Sequence, residues 1–264
     1  MRTVTSKDGT MIAYDQWGEG PVVILVDGAL QYRAFDQGMV DLANLLSKHF
    51  TVIHYDRRGR GDSTDTQPYA LEREIEDIEA LIDEAGGSAS LYGISSGAAL
   101  AMEAAIGLPG KVQKLAMYEA PYSDDPAARQ AWKEYTKQLG DLLAAGRNGD
   151  AVGLFMMLVG ASADQVEEIR QTPMWPLWES IGHTLAYDHI AALGEDAAIP
   201  TRQAARVSMP ALIMDGSASF PFMHPTAITL ANAIPNAQHR TLEGQTHEVS
   251  AEALAPVLIE FFKA

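Results

Sequence analysis

A serine between two glycines stands where the chain could carry a nucleophile. Residues 93–97 read Gly-Ile-Ser-Ser-Gly, a G-x-S-x-G pentapeptide. The preceding Ser-Leu-Tyr is typical of the end of a buried strand, and Ala98 to Ala105 is predicted to be a helix. Flanking glycines allow strand and helix to pack closely around a strained turn, which exposes the central hydroxyl. We therefore expect Ser95 to be a nucleophile and the backbone N–H of Ser96 to stabilise an oxyanion.

The elements around this motif alternate between strands and helices. Val22 to Val26 (VVILV) is a continuous apolar run, as expected for a strand that is buried on both faces. The other predicted strands cover Arg2 to Ser6, Met11 to Trp17, Thr51 to Tyr55, Lys114 to Tyr118, Met209 to Asp215 and Gln238 to Leu242. This alternation predicts a mostly parallel sheet with helices on both faces.

One long stretch breaks the alternation. Between Tyr122 and about Ser208 the strand periodicity disappears, and four helices are predicted, the last of them from Leu177 to Leu193. We interpret residues 122–208 as a helical cap inserted into a core formed by residues 1–121 and 209–264.

The loops at the carboxyl ends of parallel strands should hold the chemistry. Four such loops gather at one edge of the predicted sheet: the residues from Asp27 to Leu30, the turn at Ser95, the residues from Glu119 to Pro121, and the region around His247.

Charge and composition exclude several classes of partner. Of the 264 residues 35 are acidic and 19 are basic, and the net charge of −16 repels nucleic acid and anionic membranes. No apolar run is long enough to cross a bilayer, and the N-terminus lacks the apolar region of a signal peptide. We expect a soluble cytoplasmic protein, a monomer or homodimer, with neither nucleic acid nor membrane as a partner.

Cofactor and metal motifs are absent from the sequence. The basic loop from Asp56 to Ser63 has neither the Lys-Ser/Thr of a P-loop nor the G-x-G-x-x-G spacing, so we interpret its charges as an internal ion-pair network. No H-E-x-x-H or comparable ligand spacing occurs, and there is no cysteine. We expect no cofactor and no metal.

The motifs together resemble the α/β-hydrolase superfamily over essentially the whole chain. The matching stretches are VVILVDGAL, YDRRGRGDS, LYGISSGAA, MPALIMDG and LEGQTHEVS, in this order. The resemblance implies an α/β fold with a mostly parallel eight-stranded sheet, flanking helices and a helical cap inserted after strand 6. Two features depart from the family pattern. Asp27-Gly28 replaces the usual His-Gly, and Ser219 occupies the usual position of the catalytic acid.

Some members of the superfamily carry the acid one strand earlier, which in this sequence is Glu119. The layout is similar to that of zearalenone-lactonase-like hydrolases, which share the Asp-Gly and a Glu at the earlier position. Asp215, at the end of the following strand, is the rival. We favour Glu119 because a carboxylate beside Ala-Pro at a strand end has no obvious capping role.

The positions of other residues in the loops after the strands suggest the base and the oxyanion hole. His247 lies in a loop between the last strand and the last helix, where it could act as the base for Ser95. The oxyanion hole would use the backbone N–H groups of Ala29 and Ser96, and Gly28 would allow the close approach. A carboxylate aimed at an oxyanion would oppose catalysis, so we expect Asp27 to point away and to bond to nearby backbone. His54 could line the site.

Large apolar side chains of the predicted cap could form a bulky, neutral substrate pocket. We expect most of them to be core and a minority to face the cleft. The candidates for substrate binding are Gly28, Leu30, Trp132, Met156, Trp175, Trp178 and Phe220.

The leading hypothesis is a cofactor-free serine hydrolase that cleaves a small-molecule apolar ester or lactone through an acyl-enzyme. Two alternatives remain open. The same triad could hydrolyse a C–C bond, or the fold could serve as a non-catalytic ligand-binding module. Dehalogenase and epoxide-hydrolase chemistry is disfavoured, because in this superfamily it uses Asp where this chain has Ser95.

Overall fold

A single eight-stranded sheet forms the centre of the molecule. The computed structural model describes all residues, Met1–Ala264. The strands are β1 (Arg2–Thr5), β2 (Met11–Trp17), β3 (Val22–Val26), β4 (Thr51–Tyr55), β5 (Ala89–Ile94), β6 (Val112–Tyr118), β7 (Ala211–Gly216) and β8 (Ala237–Leu242). They lie in the order β1-β2-β4-β3-β5-β6-β7-β8. Only β2 runs antiparallel to its neighbours, and every pair from β4 to β8 is parallel.

Ten α-helices accompany the sheet. They are α1 (Gln37–Leu46), α2 (Leu71–Glu84), α3 (Ser96–Gly107), α4 (Pro126–Ala144), α5 (Asn148–Leu158), α6 (Ala163–Arg170), α7 (Trp175–Ile181), α8 (Thr201–Ala204), α9 (Met223–Ala233) and α10 (Ala251–Lys263). Five of them, α4 to α8, fall between β6 and β7, where no strand occurs. The predicted fold class, a mostly parallel eight-stranded α/β sheet with a helical insertion after the sixth strand, is confirmed. None of these helices combines the length and the apolar character that crossing a bilayer requires.

The inner strands are buried on both faces, as the apolar run of β3 predicts. Val23 and Leu25 belong to a core cluster shared with α1 and α10. Ile24 and Val26 belong to a larger cluster shared with α2 and α3 on the opposite face. Successive side chains of a strand point to opposite faces, so a four-residue apolar run serves both layers.

The helix predicted from Leu177 to Leu193 is wrong in detail. The chain forms α7, then a 3₁₀ turn (Gly182–Thr184) and a π-helix (Tyr187–Ala192). Gly182 packs so tightly on α5 that a Cβ there would lie 2.8 Å from the carbonyl oxygen of Asn148. Short π-helical turns often mark functional positions, and the buried Asp188 in this one bonds to the loop after β4 and to the first residue of α3.

Candidate active site

Ser95 occupies a strained turn between β5 and α3. Its backbone has φ 56° and ψ −130°, a conformation that side-chain-bearing residues rarely adopt. Glycines on both sides make the turn possible. A Cβ on Gly93 would lie 2.4 Å from the carbonyl oxygen of Gly97, and a Cβ on Gly97 would lie 2.3 Å from that of Val26. The turn therefore requires glycine at both positions, and it presents Ser95 to a cavity.

Glu119 and His247 form a hydrogen-bonded pair at the carboxyl edge of the sheet. His247 Nδ1 lies 2.7 Å from Glu119 Oε2. The Glu119 side chain is fully buried, whereas that of His247 is 30% exposed. The Glu119 carboxylate also accepts hydrogen bonds from Gly216 N–H at 2.8 Å and from Ser219 Oγ at 2.7 Å. A carboxylate accepts only, so His247 carries its proton on Nδ1 and leaves Nε2 available as a base.

Ser95 and His247 line the same cavity, although Ser95 Oγ makes no hydrogen bond to His247 in this structure. Hydrogen bonds between a nucleophile and its base are often long before substrate binds and shorten in the complex. The arrangement thus holds the acid and the base in contact and leaves the serine hydroxyl facing the cavity.

Two backbone N–H groups are available beside Ser95. Ala29 N–H has no hydrogen-bond partner and Ala29 lines the cavity. Ser96 is the first residue of α3, where helix geometry leaves N–H groups without an intrahelical acceptor. The loop before Ala29 packs directly on the serine, because a Cβ on Gly28 would lie 3.1 Å from Ser95 Cβ. Gly28 therefore provides the close approach expected of it.

The Asp27 carboxylate pairs with a buried histidine and not with nearby backbone. This carboxylate was expected to bond to nearby backbone, but it instead accepts a hydrogen bond from His54 Nε2 at 2.8 Å, and both side chains are fully buried. Burial alone would lower the pKa of His54, but the Asp27 carboxylate outweighs it and the pKa is raised. His54 does not line the cavity. The histidine needed to pair with Asp27 comes from the neighbouring strand β4, a contact that only the strand order reveals.

A buried ion-pair network supports the loop before Ala29. Arg60 Nη1 donates to the carbonyl oxygen of Gly28 at 2.6 Å, and Arg57 Nη1 donates to that of Asp27 at 3.2 Å. Both guanidinium groups also bond to Asp188 in the π-helix. Asp188 accepts a further hydrogen bond from Ser96 Oγ at 2.8 Å. The sequence indicated an internal network in this loop, but it gave no signal for Asp188, which is 131 residues from Arg57.

Asp215, the rival acid, faces other partners. It accepts hydrogen bonds from His224 Nδ1 at 2.8 Å, from His239 Nε2 at 2.6 Å and from Thr241 Oγ1 at 3.2 Å. None of these groups lines the cavity, and Asp215 makes no contact with His247. These partners leave Glu119 as the carboxylate bonded to the candidate base.

A cavity of about 1110 Å³ opens above Ser95. Of its 32 lining residues 19 are hydrophobic, so the wall is mainly apolar. Trp132 and Phe220 lie on this wall, as the sequence analysis expected, and Phe155 and His189 join them. His189 is buried, which lowers its pKa to about 4 and keeps the ring neutral. Its Nδ1 is bonded to the hydroxyl of Tyr135 at 2.7 Å.

Four expected wall residues lie elsewhere. Leu30 and Trp175 are only 6% exposed and belong to a core that the helical insertion forms with the loop after β3. Met156 and Trp178 are partly buried and pack against the same core. Arg170 also stacks on Trp175, 4.6 Å from the ring centre. The helices of the insertion need a core of their own, and these four side chains help to fill it, so they do not line the cavity. Gly28 lies behind Ser95 and is likewise not part of the wall.

Comparison with known proteins decides the family. The model of the alpha/beta hydrolase family matches residues 22–231, most of the chain. The chain belongs to the alpha/beta hydrolase family. It is a hydrolase of this type, and the order of its strands and the turn at Ser95 agree with that membership.

Three known proteins resemble this chain to different degrees. An alpha/beta hydrolase from Sphaerobacter thermophilus is 52% identical, with a TM-score of 0.86 over 99% of this chain and 100% of that one. A zearalenone hydrolase from Cladophialophora bantiana is 25% identical over 258 residues, covering 85% of this chain and 92% of that protein. An enol-lactonase from Burkholderia xenovorans shares the fold, with a TM-score of 0.73 over the full length of both chains, at 20% identity.

Proposed function

We propose that this chain is a cofactor-free serine hydrolase that cleaves a carboxylic ester or lactone of a bulky apolar substrate. The observation that carries the proposal is the hydrogen bond of 2.7 Å between His247 Nδ1 and the buried Glu119 carboxylate. His247 lines the same cavity as Ser95. A serine hydroxyl is a weak nucleophile until a positioned base removes its proton, and this pair supplies such a base.

The proposed reaction proceeds in two halves. Ser95 Oγ attacks the carbonyl carbon while His247 Nε2 takes its proton, and Glu119 stabilises the imidazolium through Nδ1–H. The N–H groups of Ala29 and Ser96 hold the oxyanion. His247 then returns the proton to the leaving alkoxide, which gives an acyl-enzyme. Water, deprotonated by His247, attacks the acyl carbon. The bond to Ser95 Oγ then breaks, Oγ takes the proton back from His247, and the carboxylic acid product leaves. With a lactone, the released hydroxyl stays on the same molecule as the acyl group.

The cavity supports the substrate class. Its volume of about 1110 Å³ exceeds the range of about 300–1,000 Å³ typical of small-molecule sites, and its wall is mainly apolar. The net charge of −16 disfavours strongly anionic substrates. The similarity to a zearalenone hydrolase adds support for a large lactone. A neutral, ring-containing or long-chain ester fits these properties best.

The first test is a substrate panel with matched variants. p-Nitrophenyl acetate, butyrate and octanoate would be run beside aliphatic and aromatic macrolactones. We expect Ser95→Ala and Glu119→Gln to lose activity by a factor on the order of a thousand, because the triad acts as a unit. Asp215→Asn tests the rival acid and should stay near wild type once circular dichroism shows that it is folded.

Three outcomes would contradict parts of the proposal. If Asp215→Asn is inactive and Glu119→Gln is active, the acid is Asp215. If the wild type cleaves vinylogous diketones but no ester or lactone, the site performs C–C bond hydrolysis. If a fluorophosphonate probe labels Ser95→Ala as strongly as the wild type, or labels neither, Ser95 is not an activated nucleophile.

A further inference from the structure

A buried carboxylate with two imidazole partners lies outside the candidate active site. Asp215 ends β7, His239 lies on β8, and His224 is in the first turn of α9. Nδ1 of His224, Nε2 of His239 and the Asp215 carboxylate oxygens all lie within 4.8 Å of one another. None of the three residues lines the cavity above Ser95. The proposed hydrolysis therefore makes no use of them.

We propose that Asp215, His224 and His239 form a binding site for one divalent transition-metal ion, with Zn²⁺ as the best match. Two imidazoles and one carboxylate are a donor set suited to Zn²⁺ and its neighbours, and they leave one coordination position for water. The ligand atoms already lie within 4.8 Å of one another, close enough to share one ion at the bond lengths of about 2.0–2.2 Å that zinc requires. The net charge of −16 favours cation binding.

The side chains already point their ligand atoms at one another. Sheet pairing places Thr241 opposite Asp215 and His239 opposite Ile213, so His239 and Thr241 lie on the same face of β8. Thr241 Oγ1 donates to the Asp215 carboxylate and orients it. Hydrogen bonds from neighbouring groups to the metal-binding side chains hold those side chains in the orientation that the metal needs.

Metal binding would replace two hydrogen bonds without a change of oxidation state. Without metal, His224 Nδ1–H and His239 Nε2–H donate to the two oxygens of Asp215. On binding, each of these nitrogens gives its lone pair to the metal. In a neutral ring the proton moves to the other ring nitrogen, and in a charged ring it is released to solvent.

The site would fix the loop that leads into the cavity wall. Two of the ligands, Asp215 and His224, bracket residues 216–223. This loop contains Ser219, which bonds to Glu119 Oε2, and Phe220, which lines the cavity. A metal held at both ends of the loop restricts its motion. The effect on turnover rests on the proposed function, but metal binding itself does not.

Isothermal titration calorimetry on the full-length, untagged, chelator-treated protein tests the site directly. We expect one equivalent of Zn²⁺ to bind and Mg²⁺ not to bind, because imidazole suits zinc and not hard cations. His224→Ala and His239→Ala should each weaken zinc binding at least about tenfold. His224 is 54% exposed, so its replacement should leave the fold intact. The control is His183→Ala, since His183 lies 3.5 Å from the carboxylate of Asp65 but lacks a second histidine.

Two further readouts do not depend on enzyme activity. Zinc should raise the melting temperature of the wild type but not of His224→Ala, because a ligand that binds only the native state stabilises it. Zinc should also slow amide hydrogen exchange in residues 216–223. The proposal is overturned if no saturable binding occurs up to roughly 1 mM zinc. It is equally overturned if both histidine variants bind zinc as tightly as the wild type.

Discussion

Replacing Asp188 by asparagine tests how the helical insertion is attached to the sheet. The side chain keeps its shape but loses its charge, between Arg57 and Arg60. Arg57 keeps a second carboxylate, because its Nε lies 2.6 Å from Glu74. Arg60 keeps only the neutral acceptors Gly28, Gln31 and Thr184. The substitution therefore leaves one guanidinium buried without a counter-charge.

The lowered pKa of Asp188 indicates how much stability the substitution should remove. Burial raises the pKa of Asp188, but the two arginines outweigh it and lower the pKa from its ordinary value of 3.8 to about 2. One pKa unit corresponds to about 1.4 kcal/mol, so ionised Asp188 stabilises the fold by about 2 kcal/mol at neutral pH. Removing one partner of a buried pair typically costs about 3–5 kcal/mol. Burial also lowers the pKa of Arg60 despite Asp188. We expect a loss of about 3 kcal/mol.

Urea unfolding followed by circular dichroism at pH 7 measures this loss. The matched control is Asp196→Asn, whose partner Arg129 is 40% exposed, so that pair should contribute less than about 1 kcal/mol. Combining Asp188→Asn with Arg60→Met in a double-mutant cycle should give a coupling energy of at least about 1 kcal/mol. The reasoning is refuted if Asp188→Asn and Asp196→Asn destabilise equally. Because the folded pKa of Asp188 is depressed, its contribution should persist above pH 4 and disappear as the pH falls toward 2.

Two other substitutions test the turn and the acid. Gly97→Ala should destabilise the protein by about 3 kcal/mol or more, or prevent folding, because its Cβ would lie 2.3 Å from the carbonyl oxygen of Val26. The control is Gly110→Ala, which has open space around its Cβ. Its stability, measured by thermal unfolding, should be within about 0.5 kcal/mol of wild type. Ser219→Ala removes one of the hydrogen bonds to Glu119 and should lower kcat roughly tenfold with little change in KM. An unchanged kcat and an unchanged pH profile would show that Ser219 does not position Glu119.

The sheet was predictable because each of its strands leaves a local pattern. VVILV of β3 is buried on both faces in the structure, as a parallel inner strand requires. The broken helix around Gly182 was not predictable, because the break comes from contact with α5. The division into residues 1–121 with 209–264 and residues 122–208 stays a prediction, as does the cytoplasmic location.

The three residues that the sequence nominates for catalysis do lie at one edge of the sheet, and strand order explains why. Ser95, Glu119 and His247 each follow a strand, and β5, β6, β7 and β8 are consecutive neighbours. Their catalytic roles stay predictions until variants are measured. The partners of Asp27 and Asp215 depend on which strands pair and in which register, and no short sequence window contains that information.

Assigning cavity-wall residues was less successful, for a physical reason. Apolar periodicity identifies the buried face of a helix but not what it is buried against. Trp132 and Trp175 are both tryptophans of the insertion, yet the first lines the cavity and the second lies in the core. Only the packing of α4, α5 and α7 against one another separates the two environments.

Exposed apolar side chains mark where the cavity above Ser95 meets solvent. Leu158 and Val159 at the end of α5, and Phe220 in the loop before α9, line the cavity and are also 40%, 50% and 44% exposed. An entrance lined by apolar side chains allows an apolar substrate to be desolvated before it reaches Ser95. We therefore expect substrates to pass between α5 and the loop before α9, a route that polar compounds of the same size would find unfavourable.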